Sequence, residues 1–234
     1  MKTDKAAKII SSALRKKRTT LSEYEAKKVL AAYDIPVTRE ILIKEKKDLD
    51  KALEKISFPL VMKGCSAEVA HKTEKGLIHV DIRTVKEAKK AFTEIMAGLA
   101  GFEGGVLVQE MIKGRRELVM GLTRDPQFGP CVMFGLGGIF TEILRDVTFR
   151  RAPLEMQDAR DMMQDIKGRK ILDAVRGMEA ADTDILARML INLGQIGLDF
   201  ESIMEIDLNP VILTGAKPVV VDALVVMKTE NSSG

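Results

Sequence analysis

The chain of 234 residues has few cysteines and no long apolar run. Its two cysteines, Cys65 and Cys131, lie far apart and form no C-x-x-C pair, which argues for reduced thiols in a cytoplasmic protein and against a metal or nucleophile role for either. No stretch approaches the roughly 20 apolar residues that a membrane span needs. The first residues also lack the apolar core of a signal peptide. We therefore expect an unprocessed protein with no membrane partner.

A marked excess of charge is also missing. The net charge is +3, and the 30% of charged residues are of both signs, so no basic surface for a nucleic acid is predicted. The basic run at residues 15–18 is interpreted as a solvated helix end. The hydrophobic content of 46% is ample for a packed core. These properties predict a globular protein that does not bind nucleic acid.

Helix and strand patterns are mixed along the whole chain. A helix is predicted from Leu21, with Ser22 as its N-cap, and it is expected to be ended by Pro36. Apolar patterns also predict strands at 37–43, 58–64 and 77–82, and helices at 84–99, around 155–166 and at 184–194. Three runs, 106–112, 116–123 and 130–138, predict strands of one antiparallel sheet.

The order of these elements has no strict βαβ alternation. This indicates an α+β architecture of two lobes with a cleft between them. A glycine-bearing break at 101–105 is the candidate boundary between the lobes. We predict an N-terminal helical extension at 1–20, a first lobe at 21–105 and a second lobe at 106–234.

The segment 205–223 places polar residues inside a predicted β-hairpin. Successive side chains of a strand alternate faces, so Asp207 and Asn209 share one face. If residues 214–217 form the turn, Asn209 lies directly opposite Asp222. Two carboxylates and a carboxamide then converge between apolar runs, which predicts Mg²⁺, a cation that prefers oxygen ligands. A solvated sheet face, or bonds to nearby backbone, is the alternative.

Two other segments have a pattern suited to phosphate chemistry. Lys63 ends an apolar strand beside Gly64, so its ammonium could project into a cleft where glycine leaves room for a phosphate. A lysine that keeps an edge strand soluble is the alternative. The loop Gly135–Gly138 is followed by Glu142 and Asp146, but no G-K-[ST] follows, so it is not a P-loop. A tight turn between strands is the alternative for this loop.

The chain has two histidines. His79 occupies the polar phase of an alternating strand and is interpreted as a surface residue. His71 follows small and charged residues in a loop. On its local pattern alone, His71 is interpreted as a solvated loop histidine.

Four segments, in this order, resemble the ATP-grasp fold and more narrowly the nucleotide-binding β subunit of archaeal-type ADP-forming acetyl-CoA synthetases, relatives of succinyl-CoA synthetase. The segments are LSEYEAKKVLAAYDIPV, FPLVMKGCSAEVAHKTEKGLI, VLVQEMIKGRREL with FGPCVMFGLGGIFTEILRD, and EIDLNPVIL with VVVDAL. They cover nearly the whole chain from Leu21 onward. The resemblance implies an ATP-grasp fold with the nucleotide site in the cleft between its two lobes.

The resemblance also implies roles for single residues. His71 would carry a phosphoryl group between a partner subunit and the nucleotide, although the AEVA before it departs from the family's more typical pattern. Lys63 would contact phosphate. Glu110 and Ile112 would hold adenine through backbone groups, and Glu117 would turn to the ribose.

Alternatives remain for two of these positions. Glu117 could be a surface strand residue, or it could pair with Arg115 or Arg116. For the loop Gly135–Gly138, the resemblance implies a place near the phosphates or the partner interface, with no chemistry assigned.

The activity implied is acyl-CoA (acetyl-CoA) + ADP + phosphate ⇌ acid (acetate) + CoA + ATP. This chain would handle ATP or ADP, with Mg²⁺ held by Asp207, Asn209 and Asp222. Since no G-x-G-x-x-G follows a strand near the start of the chain, CoA is expected on an α subunit. The resemblance implies that the two subunits form an α2β2 heterotetramer. Two alternatives stay open: a free-standing ATP-grasp carboxylate–amine ligase acting through an acyl-phosphate, and a regulatory nucleotide-binding module without turnover.

Overall fold

The structure, a computed structural model, describes residues 2–68, 76–138, 146–174 and 177–228. Two predicted residues, His71 and Glu142, lie outside these ranges. The elements are α1 (Lys2–Arg15), α2 (Glu23–Ala32), β1 (Glu40–Ile43), α3 (Leu49–Lys55), β2 (Leu60–Ser66), β3 (Ile78–Ile82), α4 (Val85–Gly98), β4 (Gly104–Glu110), β5 (Arg116–Asp125), β6 (Gly129–Leu136), β7 (Val147–Arg151), α5 (Met156–Asp165), α6 (Thr183–Asp199), β8 (Ile203–Thr214), β9 (Lys217–Val220) and β10 (Leu224–Met227). Short 3-10 turns lie at Lys46–Asp48 and Arg169–Leu172. Within the described ranges, no helix combines the length and the apolar character needed to cross a bilayer.

The chain divides into two compact units. The larger unit comprises Met1–Leu21, Glu25–Val37 and Ile112–Gly234, and the smaller comprises Ser22–Tyr24 and Thr38–Met111. The smaller unit therefore continues past the predicted boundary at 101–105. The assignment of 21–105 and 106–234 as the two functional lobes stays a prediction.

The smaller unit is an antiparallel sheet in the order β1-β4-β2-β3, with α3 and α4 packed on it. Helix α4 begins where Thr84 accepts a hydrogen bond from the N–H of Glu87. Its apolar residues recur at helical spacing, so one face is buried. That face, Ala88, Ala91, Phe92 and Ile95, belongs to the same core as Leu60 and Met62 of β2 and Val106 and Val108 of β4.

The larger unit is built on an antiparallel sheet in the order β10-β8-β5-β6-β7, with β9 paired to β8. Helix α6 confirms the predicted helix at 184–194, and it continues to Asp199. Its N-cap is Asp182, whose carboxylate accepts the N–H of Ile185. The apolar face of α6 packs into one core with the sheet and with α1, α2 and α5.

Strand β4 belongs to a different sheet from the one predicted. A strand was predicted at 106–112 and is present at Gly104–Glu110, but its predicted assignment to one sheet with 116–123 and 130–138 is wrong. Strand β4 pairs with β1 and β2 along its length, and Leu107 lies opposite Lys63. The apolar pattern of a segment predicts a strand, but its hydrogen-bonding neighbours depend on distant parts of the chain.

Helix α2 ends earlier than predicted. It stops at Ala32, before Pro36, because Asp34 adopts a left-handed conformation with φ +55°. The N–H of Ile35 then reaches back to the carbonyl of Leu30 at 3.1 Å. Such a left-handed residue after the last turn is a common helix terminator, which aspartate tolerates better than most residues.

Arg116 forms hydrogen bonds that connect the backbone between α5 and α6 to the sheet. This side chain is buried, and its guanidinium donates to four backbone carbonyls: Ile171 (3.1 Å), Asp173 (3.2 Å), Glu179 (2.7 Å) and Gly215 (2.9 Å). A planar guanidinium carries five donors, so one side chain can hold several carbonyls at once. Arg116 thus links Gly215 of the β8–β9 turn, and the backbone at residues 171, 173 and 179, to β5.

We predict that Arg116→Met destabilises the chain by about 3 kcal/mol, since it leaves buried carbonyls without their charged donor. Equilibrium unfolding in denaturant measures the change. Arg115→Met is the matched control, because Arg115 is the exposed neighbour, and its expected effect is within about 0.5 kcal/mol. Equal effects of the two substitutions would contradict the anchoring role.

Candidate functional site

Strand β8 carries a row of polar side chains opposite a buried apolar row. Ile206 and Leu208 are buried, whereas Asp207 is half-buried and Asn209 is exposed. The predicted alternation of faces is therefore confirmed. The turn also forms as predicted, because Leu213 pairs with Pro218 in the β8–β9 ladder.

The ladders on either side of Asp222 have the same register. Strand β9 pairs Val211 with Val220, and β10 pairs Asp207 with Leu224. The N–H of Val221 continues this register by donating to the carbonyl of Pro210 at 3.0 Å. Counting from either ladder places Asn209 across from Asp222, although residues 221–223 lie outside the strands.

Asp207 lies in a negative environment. Burial raises the pKa of its carboxyl above the ordinary value, and the nearby carboxylates of Glu205 and Asp222 raise this pKa further. Asp222 accepts the N–H of Ala223 at 2.8 Å. In the described part of the chain, the Asp207 carboxylate has no hydrogen-bond donor and no cation beside it. This carboxylate therefore favours a positive ligand.

The oxygen donors of this face suit a hard divalent cation. Across the residues that the structure describes, no group of three His, Cys, Asp or Glu side chains is arranged to hold a metal. The predicted set has two carboxylates and the Asn209 amide, so a cation here would need further oxygen ligands. Waters and nucleotide phosphates are the usual ones for Mg²⁺. The metal site stays a prediction.

We predict that Asp207→Asn raises the melting temperature of the chain in the presence of a chelator. A carboxyl whose folded pKa lies above its unfolded value contributes less stability as pH rises through that interval, and at neutral pH it destabilises the fold. The substitution removes this cost, and it also removes the extra thermal stabilisation that Mg²⁺ gives with ADP. Thermal unfolding with and without Mg²⁺-ADP measures both effects.

The control for this experiment is Glu201→Gln, at an exposed position just before β8. It should change neither the melting temperature in chelator nor the response to Mg²⁺-ADP. A lower melting temperature for Asp207→Asn in chelator would contradict the electrostatic argument. An unchanged response to Mg²⁺-ADP would contradict the metal site.

Lys63 lies in the middle of the smaller sheet. Strand β2 runs between β4 and β3, so the alternative of a lysine on an edge strand is wrong. The side chain is 6% exposed, and its Nζ donates to Oε1 of Glu23 at 2.8 Å. The structure thus places a buried ammonium against a buried carboxylate, whose side chain is 0% exposed.

Gly64 has a packing role that the sequence did not predict. A Cβ atom at this position would lie 3.2 Å from the Cβ of Leu77 and 3.5 Å from Cγ2 of Ile95. The space beside Gly64 is therefore filled by apolar side chains. The expectation that this glycine leaves room for a phosphate is wrong, because its missing side chain lets Leu77 approach β2.

The residues predicted to contact adenine lie at the end of β4. Glu110 is held by Arg39: its Oε1 accepts the N–H of Arg39 at 2.7 Å, and its Oε2 accepts Nε at 2.9 Å. The N–H of Glu110 donates to the carbonyl of Arg39. An adenine contact through the backbone of Glu110 would therefore use its carbonyl oxygen. Ile112 is half-buried and begins the last segment of the larger unit.

Glu117 lies on β5, beside the glycine loop Gly135–Gly138. Its carbonyl accepts the N–H of Gly137 at 2.8 Å, and a Cβ on Gly138 would lie 2.6 Å from its Oε2. Among the described residues it pairs with neither Arg115 nor Arg116, so that alternative is not supported. The backbone at position 138 has φ +63°, a conformation that favours glycine. The ribose contact stays a prediction.

Asp146 has a structural partner. It is buried, and its carboxylate oxygens accept the N–H groups of Lys167 at 2.8 Å and Gly168 at 2.7 Å. Asp146 thus fixes the turn that follows α5. Its companion in the predicted loop, Glu142, lies outside the described residues.

Some of the predicted site residues belong to the larger unit and others to the smaller. Asp207, Asn209, Asp222, Glu117 and Ile112 belong to the larger unit, whereas Lys63 and Glu110 belong to the smaller. Sequence reasoning missed Glu23. Its spacing from the buried Ala26 and Leu30 placed it on the apolar face of α2, and that spacing was the available signal.

Residues 12–227 match the family of the ATP-grasp domain. The chain belongs to the ATP-grasp family, and the α+β ATP-grasp fold predicted from the sequence is confirmed.

The chain is also similar to individual proteins over nearly its full length. The β subunit of acetate–CoA ligase (ADP-forming) II from Pyrococcus furiosus is 42% identical, over 95% of this chain and 98% of the relative. The 4-hydroxybutyrate–CoA ligase (ADP-forming) of Nitrosopumilus maritimus is 39% identical, over 89% of this chain but 31% of the relative. The predicted resemblance to β subunits of ADP-forming acetyl-CoA synthetases is thus confirmed.

A solved structure is similar in fold and in sequence. It is the dinucleotide-forming acetyl-coenzyme A synthetase 1 of Ca. Korarchaeum cryptofilum, in complex with coenzyme A and Mg-AMPPCP. The TM-score is 0.85 at 41% identity, and the match covers 95% of this chain and 100% of that chain. In that protein a phosphohistidine segment points towards the nucleotide binding site.

Proposed function

We propose that this chain is the nucleotide-binding subunit of an ADP-forming acyl-CoA synthetase acting on acetyl-CoA. In the reversible reaction, acetyl-CoA, ADP and phosphate give acetate, CoA and ATP. The observation that carries the proposal is the 42% identity with an acetate–CoA ligase β subunit over 98% of that relative. A match of this extent leaves no large part of the relative without a counterpart here.

His71 is the proposed phosphoryl carrier. A neutral imidazole is a good nucleophile at pH 7, and its nitrogen–phosphorus bond breaks again when the terminal phosphate oxygen of ADP attacks. The phosphohistidine segment of the Korarchaeum relative supports a carrier of this kind. His71 lies outside the described residues, so its role rests on the sequence and on this relative.

The remaining residues supply positioning and electrostatics, which phosphoryl transfer mainly requires. Lys63 would donate to an oxygen of the transferred group, Glu110 and Ile112 would hold adenine, and Glu117 would hold the ribose. Asp207, Asn209 and Asp222 would hold Mg²⁺, which neutralises charge on the phosphate oxygens when it is bound. The negative surroundings of Asp207 support this assignment.

A partner subunit would carry coenzyme A and the acyl site, in an α2β2 assembly. The relative from Pyrococcus furiosus is a β subunit, and the Nitrosopumilus relative has most of its length outside the matched region. Both facts support a second component. These relatives also favour the CoA-ligase proposal over a free-standing carboxylate–amine ligase.

We predict that the chain, incubated with Mg²⁺ and γ-labelled ATP, acquires an acid-labile label on His71. In the complex with the partner, His71→Asn should lower ATP formation by roughly 10³-fold or more, because the carrier nitrogen is lost. His79→Asn is the matched control, since His79 is the other histidine and lies on β3.

Three results would decide against the proposal. A label on His79 would contradict the assignment of the carrier. Full activity of the His71 variant would support the regulatory module without turnover. An acyl-phosphate formed with an amine acceptor, and no label on the protein, would support the carboxylate–amine ligase.

A further inference from the structure

Glu23 and Lys63 form an ion pair inside the smaller unit. The distance between Oε1 of Glu23 and Nζ of Lys63 is 2.8 Å, and the two side chains are 0% and 6% exposed. Glu23 is the first residue of α2, and it belongs to the short segment Ser22–Tyr24 that groups with the smaller unit. The pair therefore joins residues 40 positions apart in one buried contact.

This pair differs from the ion pairs at the surface of the same unit. Lys89 and Asp50, for example, lie 3.3 Å apart with side chains that are 47% and 67% exposed. Such exposed pairs contribute little, because water solvates each partner nearly as well. Lys63 has little contact with water. The Glu23 carboxylate therefore stabilises the ammonium where water does not reach it.

Fold stability alone does not explain a buried pair at this position. Replacing a buried ion pair by apolar side chains of similar volume is often neutral or stabilising. The neighbours of Lys63 on its strand are apolar, since Val61, Met62 and Cys65 are all buried. For the stability of the fold, an apolar residue at position 63 would serve at least as well as a lysine paired with a distant glutamate.

We propose that Glu23 is a positioning residue that holds the Lys63 ammonium oriented for phosphoryl transfer. The inference rests on the proposed function, in which Lys63 donates to the transferred group. A lysine side chain has four methylene groups and rotates freely in water. A fixed carboxylate at 2.8 Å restricts the ammonium to one place before the phosphate arrives.

The pairing has a distinct kinetic consequence. Because the Glu23–Lys63 pair is neutral as a unit, it adds little to the long-range attraction of a nucleotide. Its contribution is an N–H donor that is already in place when charge develops on the transferred group. Loss of Glu23 should therefore lower kcat more than it raises KM for ADP.

The test uses the complex of this chain with its partner subunit, forming ATP from acetyl-CoA, ADP and phosphate. Glu23→Gln keeps the size of the side chain and removes its charge. It should lower kcat by about 10²-fold and change KM for ADP by less than about 3-fold. Glu25→Gln is the matched control. Glu25 lies two residues further along α2 and pairs with Arg18 at 2.8 Å, so its substitution also removes an ion pair, but one whose side chains are 27% and 22% exposed.

A double-substitution cycle separates positioning from a general effect on the fold. If Glu23 acts through Lys63, the variant Glu23→Gln/Lys63→Met has the same kcat as Lys63→Met alone. Multiplied effects of the two substitutions would overturn the inference. A kcat for Glu23→Gln equal to that of the Glu25 control would also overturn it. Full activity of Lys63→Met would instead refute the proposed role of Lys63, and with it the inference, while the labelling of His71 tests the carrier independently.

Two further experiments cover the case in which Glu23→Gln does not fold. Glu23→Asp keeps the charge but withdraws the carboxylate by one methylene, so we expect a smaller loss of kcat with unchanged KM for ADP. The native chain, crystallised with Mg-AMPPCP, gives an answer without substitutions. The inference requires Nζ of Lys63 to contact a phosphate oxygen while it stays within about 3.2 Å of Glu23. Separation of Lys63 from Glu23 in those crystals would overturn it.

Discussion

The pairing of β8 with three neighbouring strands is the constraint on which the larger unit depends. Strand β8 forms ladders with β5 on one side and with β9 and then β10 on the other. Because its side chains alternate, Ile206 and Leu208 enter the core while Asp207 and Asn209 lie on the opposite face. The same hydrogen bonds that stabilise the sheet therefore determine which oxygens are presented together. A shift of the register by one residue would bury the carboxylates and expose the core.

Buried charge is paired in the smaller unit, whereas in the larger unit the charge of Asp207 is not compensated by any described side chain. In the smaller unit, the Lys63 ammonium is neutralised by Glu23 within the protein. In the larger unit, burial raises the pKa of the Asp207 carboxyl, and the nearby carboxylates of Glu205 and Asp222 raise this pKa further. A paired charge suits a donor that must keep one position. An uncompensated carboxylate suits a cation such as Mg²⁺, which prefers oxygen ligands.

Local patterns predicted the features that depend on neighbouring residues. The register of the β8–β9 hairpin followed from the length of its turn, and the face of α6 followed from apolar spacing. Features that depend on distant residues were predicted less well. The sheet of β4 was wrong, and Gly64 proved to accommodate Leu77. In each of these cases, the partner lies more than ten residues away along the chain.

The sequence by itself determined the family, the order of most strands and helices, and the polar row from Asp207 to Asp222, because motifs, periodicity and turn length are properties of neighbouring residues. Tertiary structure alone decided that Lys63 meets Glu23, that Arg116 binds four carbonyls, and that Asp146 caps the turn after α5. These contacts join residues 21 to 99 positions apart. Their existence depends on how whole strands and helices pack, and no local pattern encodes that packing.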